Sequence, residues 1–330
     1  MKEETIATDD DGRRLDRVLR KAYPDIPPGA IAGAIRRGTV RVNGRRARND
    51  MRVHLGDTVR TPDWERDTPS HQRRPIRAHL DGDRIVSDRW DIQILDRSDD
   101  WLVVNKPRGI PTHGTGALDE IVRTVARDNG WWEESMSFRP GPVHRLDQNT
   151  SGVQLFSLSA DGARLLTEQL RRRMVTKIYL LLTDGTIRTR RNCTTRIAYN
   201  RGTRTAVVEP EDGPASDRSY RRLRFNSAAT NYIPLAYTSD ERYGLTAAIP
   251  ETGRTHQVRC HAAALGIPLL GDTKYGGSHR PADLPPDEDD SGAGTYVLHA
   301  AFLAIHDPMV AWNAPLAPRT YGTIRSLFGD

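Results

Sequence analysis

His144-Arg145-Leu146-Asp147-Gln148-Asn149-Thr150-Ser151-Gly152 sets a carboxylate, a neighbouring guanidinium and a run of short polar residues directly ahead of the strand-forming segment Val153 to Leu158. Short polar side chains followed by glycine suit a tight loop at a strand end, so Asp147 is expected at the mouth of a buried sheet. The adjacent Arg145 favours a charged carboxylate, available as nucleophile or base. Taken alone, an Arg-Leu-Asp tripeptide reads as readily as a capped turn with an ordinary ion pair. Three further segments share this mixture of polar and glycine residues at strand edges: Asn105-Lys106-Pro107-Arg108-Gly109, Lys177-Ile178-Tyr179, and Thr252-Gly253-Arg254-Thr255-His256-Gln257-Val258-Arg259-Cys260-His261. On a strand, Lys177 and Tyr179 project to one face. On a helix expected from about Arg254 to Leu265, His256 and Arg259 stand three apart and share a face.

Around these segments the chain reads as two domains. Near the N-terminus, Leu15, Val18, Leu19 and Ala22 recur at helical spacing until Pro24, and a second helix opens at Pro27 and Pro28 and ends with Arg36 and Arg37 before Gly38. Thr39 to Val42 alternates as a strand, Asn43-Gly44 signals a hairpin, and strand-like pieces follow near Met51 to His54 and Asp57 to Arg60. Residues 63–90 lose periodicity and read as a linker, with a tighter piece at Arg84 to Val86. Beyond it, strands are expected at Ile92 to Leu95, Trp101 to Asn105, Val153 to Leu158, Thr176 to Leu182, Arg218 to Phe225 and Tyr243 to Ile249. Helices are expected over Leu118 to Val125 and around Leu165 to Leu170. The acidic, Pro- and Gly-rich stretch 279–294 reads as a surface loop. Strands in runs with few helices indicate an α+β domain with a mainly antiparallel sheet over 91–330, preceded by a small α/β domain over 1–62.

The chain of 330 residues carries a formal charge of +6. Residues 13 to 60 alone hold about 13 Lys and Arg against about 4 acids, which exceeds the excess of the whole chain and places the positive charge at one end. No apolar run approaches membrane-span length, and the N-terminus lacks a basic and apolar leader pattern, so a cytoplasmic protein is expected. Cys193 and Cys260 match neither a disulfide framework nor a metal pair. His256, Cys260 and His261 lack a fourth zinc ligand at usual spacing, so no metal is expected.

Residues 144 to 152 match in full the His-Arg-Leu-Asp-x-x-Thr-Ser-Gly signature that the RluA-type pseudouridine synthases carry, and the chain resembles that family further. Asn105 to Pro107 resembles its Asn-Lys-Pro segment, Lys177 to Tyr179 its Lys-x-Tyr strand, and Thr252 to Arg259 its Thr-Gly-Arg-x-His-Gln-x-Arg segment, followed by Leu265 to Asp272 in similar order and spacing. The resemblance implies isomerisation of uridine to pseudouridine without a cofactor. It implies that Asp147 initiates glycosidic cleavage, at the ribose C2′ proton or at C1′, that Tyr179 packs on the uracil and assists C5 deprotonation, and that Arg259 pairs with Asp147. Lys106, His144, Arg145, Lys177, Arg254 and His256 are then expected to contact RNA.

Residues 13 to 60 resemble the S-four-like RNA-binding domain in the order Arg14 to Leu19, Ile35 to Gly44 and Leu55 to Val59. Arg36, Arg37, Arg41, Arg45 and Arg46 are the expected phosphate contacts. This arrangement is most similar to members acting on large-subunit ribosomal RNA, so RNA is the expected partner of a monomeric enzyme. Rival readings are a synthase of transfer RNA, a non-catalytic RNA-binding or ribosome-assembly factor, and a hydrolase using His144 with Asp147 and a nearby hydroxyl.

Overall fold

The structure is a computed structural model that describes residues 1–64, 76–132, 135–213, 220, 222–279 and 296–329. The N-terminal region contains β1 (Lys2–Thr5), α1 (Leu15–Ala22), α2 (Pro28–Arg37), β2 (Arg41–Val42), β3 (Arg45–Arg46) and β4 (Thr58–Thr61), with a sheet ordered β1-β4-β2-β3. Leu15, Val18 and Leu19 of α1 and Ile31 and Ile35 of α2 are buried together, as their helical spacing requires. Gly38 caps α2 in the left-handed region at φ 80°. Asn43 and Gly44, at φ 50° and 74°, make the tight turn between β2 and β3. The sequence reading missed β1, whose Lys-Glu-Glu-Thr stretch has no apolar alternation and which forms by pairing with β4.

The remaining strands are β5 (Ala78–Asp81), β6 (Arg84–Ser87), β7 (Asp91–Arg97), β8 (Trp101–Lys106), β9 (Gly141–Pro142), β10 (Ser151–Ser157), β11 (Val175–Asp184), β12 (Arg191–Cys193), β13 (Ile197–Asn200), β14 (Thr205–Val208), β15 (Thr230–Tyr237), β16 (Tyr243–Pro250), β17 (Leu298–His306) and β18 (Met309–Asn313). Helices α3 (Leu118–Asp128), α4 (Ala160–Arg171), α5 (Gln257–Ala264) and α6 (Pro318–Phe328) accompany them. Among the described residues the large sheet runs β12-β15-β16-β11-β17-β10-β8-β7-β6-β5, with β18 on β17 and β9 on β10. Its pairings are antiparallel except β10 with β17, so the α+β, mainly antiparallel expectation holds.

Side-chain alternation along the central strands divides the core. Leu102, Val104 and Phe156 face α3, while Val103, Val153 and Leu155 pack with Leu166 of α4 and Trp312 of β18. A third cluster joins Leu146, Tyr179, Leu181 and Leu298 to Val258 and Ala262 of α5, directly under the Asp147 loop.

Two expectations need correction. Residues 76–90 are not linker: β5 and β6 form a hairpin on the edge of the large sheet, with Ile85 buried against α3. Short strands interrupted by Gly82 and flanked by charges hid the alternation; 65–75 lie outside the described residues. The strand expected over Arg218 to Phe225 is not formed by residues 222–225, and its remainder falls largely outside the described residues. The strand there is β15, whose Pro234 obscured the reading and sits at an irregularity in the ladder with β16. The 279–294 stretch, apart from His279, also lies outside the described residues.

The two domains are bonded to each other. Met136 is buried in the N-terminal core. Asp10 accepts from the Ser137 backbone N at 3.1 Å and from its Oγ, and Asp9 accepts from Ala160 N at 2.8 Å at the start of α4.

Gly152, at φ +109°, lies where β10 meets β17, and a Cβ there would overlap the Ala300 backbone. Gly152→Ala should destabilise the protein by about 2–4 kcal/mol through strain and overpacking, read as a shift of the denaturant midpoint; a change under about 0.5 kcal/mol would show that the seam is soft.

Candidate active site

The loop between β9 and β10 holds Asp147 by backbone contacts from its own length and from residues 106–112. Lys106, wholly buried at the end of β8, donates from Nζ to the carbonyls of Pro107, Gln148 and Thr150 at 3.0, 2.9 and 2.8 Å. Thr112 Oγ1 donates to Leu146 O at 2.8 Å, and Gly109 N to Gln148 O at 3.0 Å. Burial pushes the Lys106 amine down to about 7, opposed by the negative charge of Asp147. The three donors of an ammonium match the three carbonyls. The expected RNA contact by Lys106 is therefore replaced by an internal one.

Asp147, its side chain 18% exposed, opens into a cleft lined by Arg145, Lys177, Tyr179, Arg254, His256, Arg259 and Leu298. The segments of the Asp147 loop, β11 and the start of α5 thus converge on one site. Lys177 and Tyr179 reach it together, as their strand spacing requires. Burial pushes the Lys177 amine down to about 8. Burial, followed by the Asp147 charge, raises the Tyr179 phenol above its ordinary value, which keeps it a neutral ring with an O–H and disfavours a phenolate base.

Arg259 bridges two acids. Its Nε and Nη2 form a fork on Asp272 at 2.7 and 2.8 Å, while Nη1 stands 3.8 Å from Asp147 Oδ2. The guanidinium lies over the rings of Tyr296 and Tyr275, 4.4 and 4.7 Å from their centroids. Burial opposes its charge, but the Asp272 hydrogen bonds, with Tyr296 and the Asp272 and Asp147 charges, outweigh this and hold its pKa above the ordinary value. The expected Asp147 partner is therefore anchored principally on Asp272. Sequence reasoning missed Asp272, Tyr275 and Tyr296 as parts of the site; Asp272 closes the quoted Leu265 to Asp272 segment, where a carboxylate after an apolar run was the available signal.

His256 is not on the helix. α5 begins at Gln257, and His256 precedes it in the left-handed region at φ 55°, yet its Nε2 reaches 3.9 Å from Asp147 Oδ2. His144 also departs from expectation. Its Nε2 accepts from Leu155 N at 3.2 Å and its Nδ1 is buried, so its polar atoms face the sheet and not RNA. Burial, then the Lys177 charge, holds its pKa well below the ordinary value. Ser151 Oγ lies 2.9 Å from Nδ1 of His299, whose Nε2 is bonded to Ala314 O. His144 and Ser151 thus do not form the pair that a hydrolase would need. His261 is bonded to Thr230 and to Thr195 O.

In the N-terminal domain Arg36, Arg37, Arg41, Arg45 and Arg46 are all exposed. Arg46 donates to the Arg36 carbonyl, joining the hairpin to the end of α2.

Comparison with known proteins identifies the family. A family model described as RNA pseudouridylate synthase matches residues 100–264, and one described as S4 domain matches residues 13–59. Ribosomal large subunit pseudouridine synthase C of Salmonella typhimurium is 31% identical over 314 residues, covering 92% of this chain and 88% of that protein. The protein of the same name from Pasteurella multocida is 31% identical over 331 residues, covering 95% and 90%. The solved structure of human RNA pseudouridylate synthase domain containing 4 shares the fold, with a TM-score of 0.56 at 24% identity, covering 71% of this chain and 92% of that one.

Replacing Lys106 by methionine should remove the Nζ bonds to three carbonyls, of which Gln148 O keeps Gly109 N, and cost about 3 kcal/mol or more, measured by chemical denaturation; wild-type stability would show that the clamp does not hold the loop. Lys177 yields a pH prediction. An amine near pKa 8 that binds phosphate must be protonated, so RNA affinity should weaken as pH rises above about 8, by up to about tenfold per unit. Lys177→Arg should flatten that slope in a binding titration from pH 7 to 9.

Proposed function

The chain belongs to the RNA pseudouridylate synthase family and is an RNA uridine isomerase, and we propose that its substrate is large-subunit ribosomal RNA, with Asp147 as the reacting carboxylate. The observation that carries the catalytic assignment is the convergence on Asp147 Oδ2 of Arg259 at 3.8 Å and His256 at 3.9 Å, in a cleft walled by Tyr179. The substrate class is supported by the S4 domain over 13–59 and by relatives named for the ribosomal large subunit.

The reaction breaks the N1 to C1′ bond, turns the base and joins C5 to C1′. One proton leaves C5 and N1 regains one, so atoms balance without oxidant, reductant or net water, and no cofactor is required. The target uridine must leave its stack to bring C1′ to Asp147, at a cost of a few kcal/mol that backbone and aromatic contacts offset. The carboxylate begins the cleavage by taking the C2′ proton or by adding to C1′. Arg145, Lys177 and Arg254, on the rim, fit phosphates flanking the extruded nucleotide. The buried neutral ring of Tyr179 fits the face of the uracil. Residues 1–62 act as a second RNA contact through their exposed arginines, and the protein works as a cytoplasmic monomer.

Pseudouridine mapping of large-subunit RNA from cells lacking the protein, treated with wild type or with Asp147→Asn, tests this reading. Wild type should restore a defined pseudouridine. Asp147→Asn, which keeps the shape and loses the charge, should lower kcat by about 10⁴ or more while the fold and RNA affinity persist. Near-normal turnover would name the wrong acid, and modification confined to transfer RNA would replace the proposed substrate. Reversing Arg36, Arg37 and Arg45 to glutamate should weaken RNA binding and lower the slope of log affinity against log salt by roughly 2–3; an unchanged slope would remove these arginines from the interface.

A further inference from the structure

The hairpin of β13 and β14 is hydrogen-bonded to the active site through two side chains. Ala206 N, on β14, donates to Tyr275 Oη at 2.7 Å, and that oxygen stands 2.7 Å from His256 Nδ1. The phenol has a single proton to give, and His256 Nδ1 is the acceptor in place for it. With Nδ1 accepting, a neutral imidazole carries its own proton on Nε2, the nitrogen that faces Asp147 Oδ2. Burial first, then the charges of Arg259 and Lys274, lower the His256 pKa against the opposing pull of Asp147 and Asp272, which favours the neutral ring. Tyr199 and Tyr275 meet the imidazole edge-on at 5.9 and 5.8 Å and limit its rotation.

Resting on the isomerase reading, we propose that His256 is a positioning residue for the isomerisation: its Nε2–H, fixed by Tyr275 and the β13–β14 hairpin, joins Arg259 Nη1 on Asp147 Oδ2 and leaves Oδ1 to meet the ribose. Both donors approach the same oxygen. The role requires both contacts, 3.8 and 3.9 Å, to close to hydrogen-bond distance in the substrate complex. One carboxylate oxygen is thereby held by the protein and the other turned to the sugar, which sets the direction of attack. His256 gives up no proton in this role, and no bond to it forms or breaks.

Two experiments test this inference. In the first, ¹⁵N-histidine NMR of the full chain, with His256 assigned from the spectrum of His256→Gln, reads the tautomer without any substrate. The Nε2–H form is expected in wild type with a shift toward a mixture in Tyr275→Phe; a wild-type Nδ1–H form would overturn the proposal. In the second, tritium release from C5-labelled uridine in a large-subunit RNA transcript is measured, with RNA affinity and thermal stability alongside. The Nε2 amide of glutamine can reproduce the donor of His256, whereas asparagine's shorter amide cannot reach it. His256→Gln should retain turnover within about tenfold of wild type, and His256→Asn should lose about a hundredfold, the scale for removing one donor that orients a reacting group.

A purely structural role predicts the reverse order, because φ 55° suits asparagine better than glutamine. Asparagine equal to or better than glutamine would therefore overturn the proposal. Should the His256 variants lose stability, Tyr275→Phe carries the test: kcat falls with KM unchanged if the phenol fixes the tautomer, and an unchanged kcat refutes it. A wild-type enzyme that releases no tritium would fault the proposed substrate, while the NMR result would still decide the tautomer.

Discussion

A single buried amino group organises the reacting loop. Between Asp147 and Ser151 the chain turns the carbonyls of Gln148 and Thr150 toward the Lys106 ammonium, which also bonds that of Pro107. Unsatisfied carbonyls at this depth would favour a different loop, so the lysine selects the conformation that presents Asp147 to the cleft. Its charge also acts on the Asp147 carboxylate through space. The apolar cluster of Leu146, Tyr179, Leu298 and Val258 then closes beneath the loop and excludes water from its base.

The same economy of charge appears around Arg259. A guanidinium enclosed by two tyrosine rings would be costly to bury unpaired, and Asp272 supplies the fork that makes it tolerable. Only one nitrogen remains directed at Asp147. The cleft thus combines a carboxylate faced by Arg259 and His256, a neutral phenol wall and cationic side chains.

Much of this was legible in the sequence because periodicity and turn chemistry are local. The Leu15 to Ala22 helix, the Asn43-Gly44 turn and the alternating strands around Val104 and Leu155 follow from spacing alone, and the four polar segments are visible in the sequence, although only three of them line the cleft. What escaped depends on partners distant in the chain. The strand at Lys2 to Thr5 has no signal apart from β4, and β15 hides behind Pro234. Nothing in Asn-Lys-Pro indicates that Lys106 points inward, because two of its three acceptors are backbone carbonyls more than forty residues away. His144 misled for a similar reason: a histidine beside an arginine suggests an exposed polar loop, whereas its ring bonds to β10. The pairing of Arg259 with Asp272 crosses thirteen residues and a helix end, beyond the reach of any local pattern.

The seating of Met136 inside the N-terminal core, with Asp9 and Asp10 bonded across the boundary, fixes the separation between the arginine-bearing face and the cleft. A molecule engaging both must fold so that its anchoring element and its target nucleotide lie at that span. For an RNA that bridges the two, the span acts as a caliper on three-dimensional shape, separating uridines in identical local sequence by what each has at arm's length.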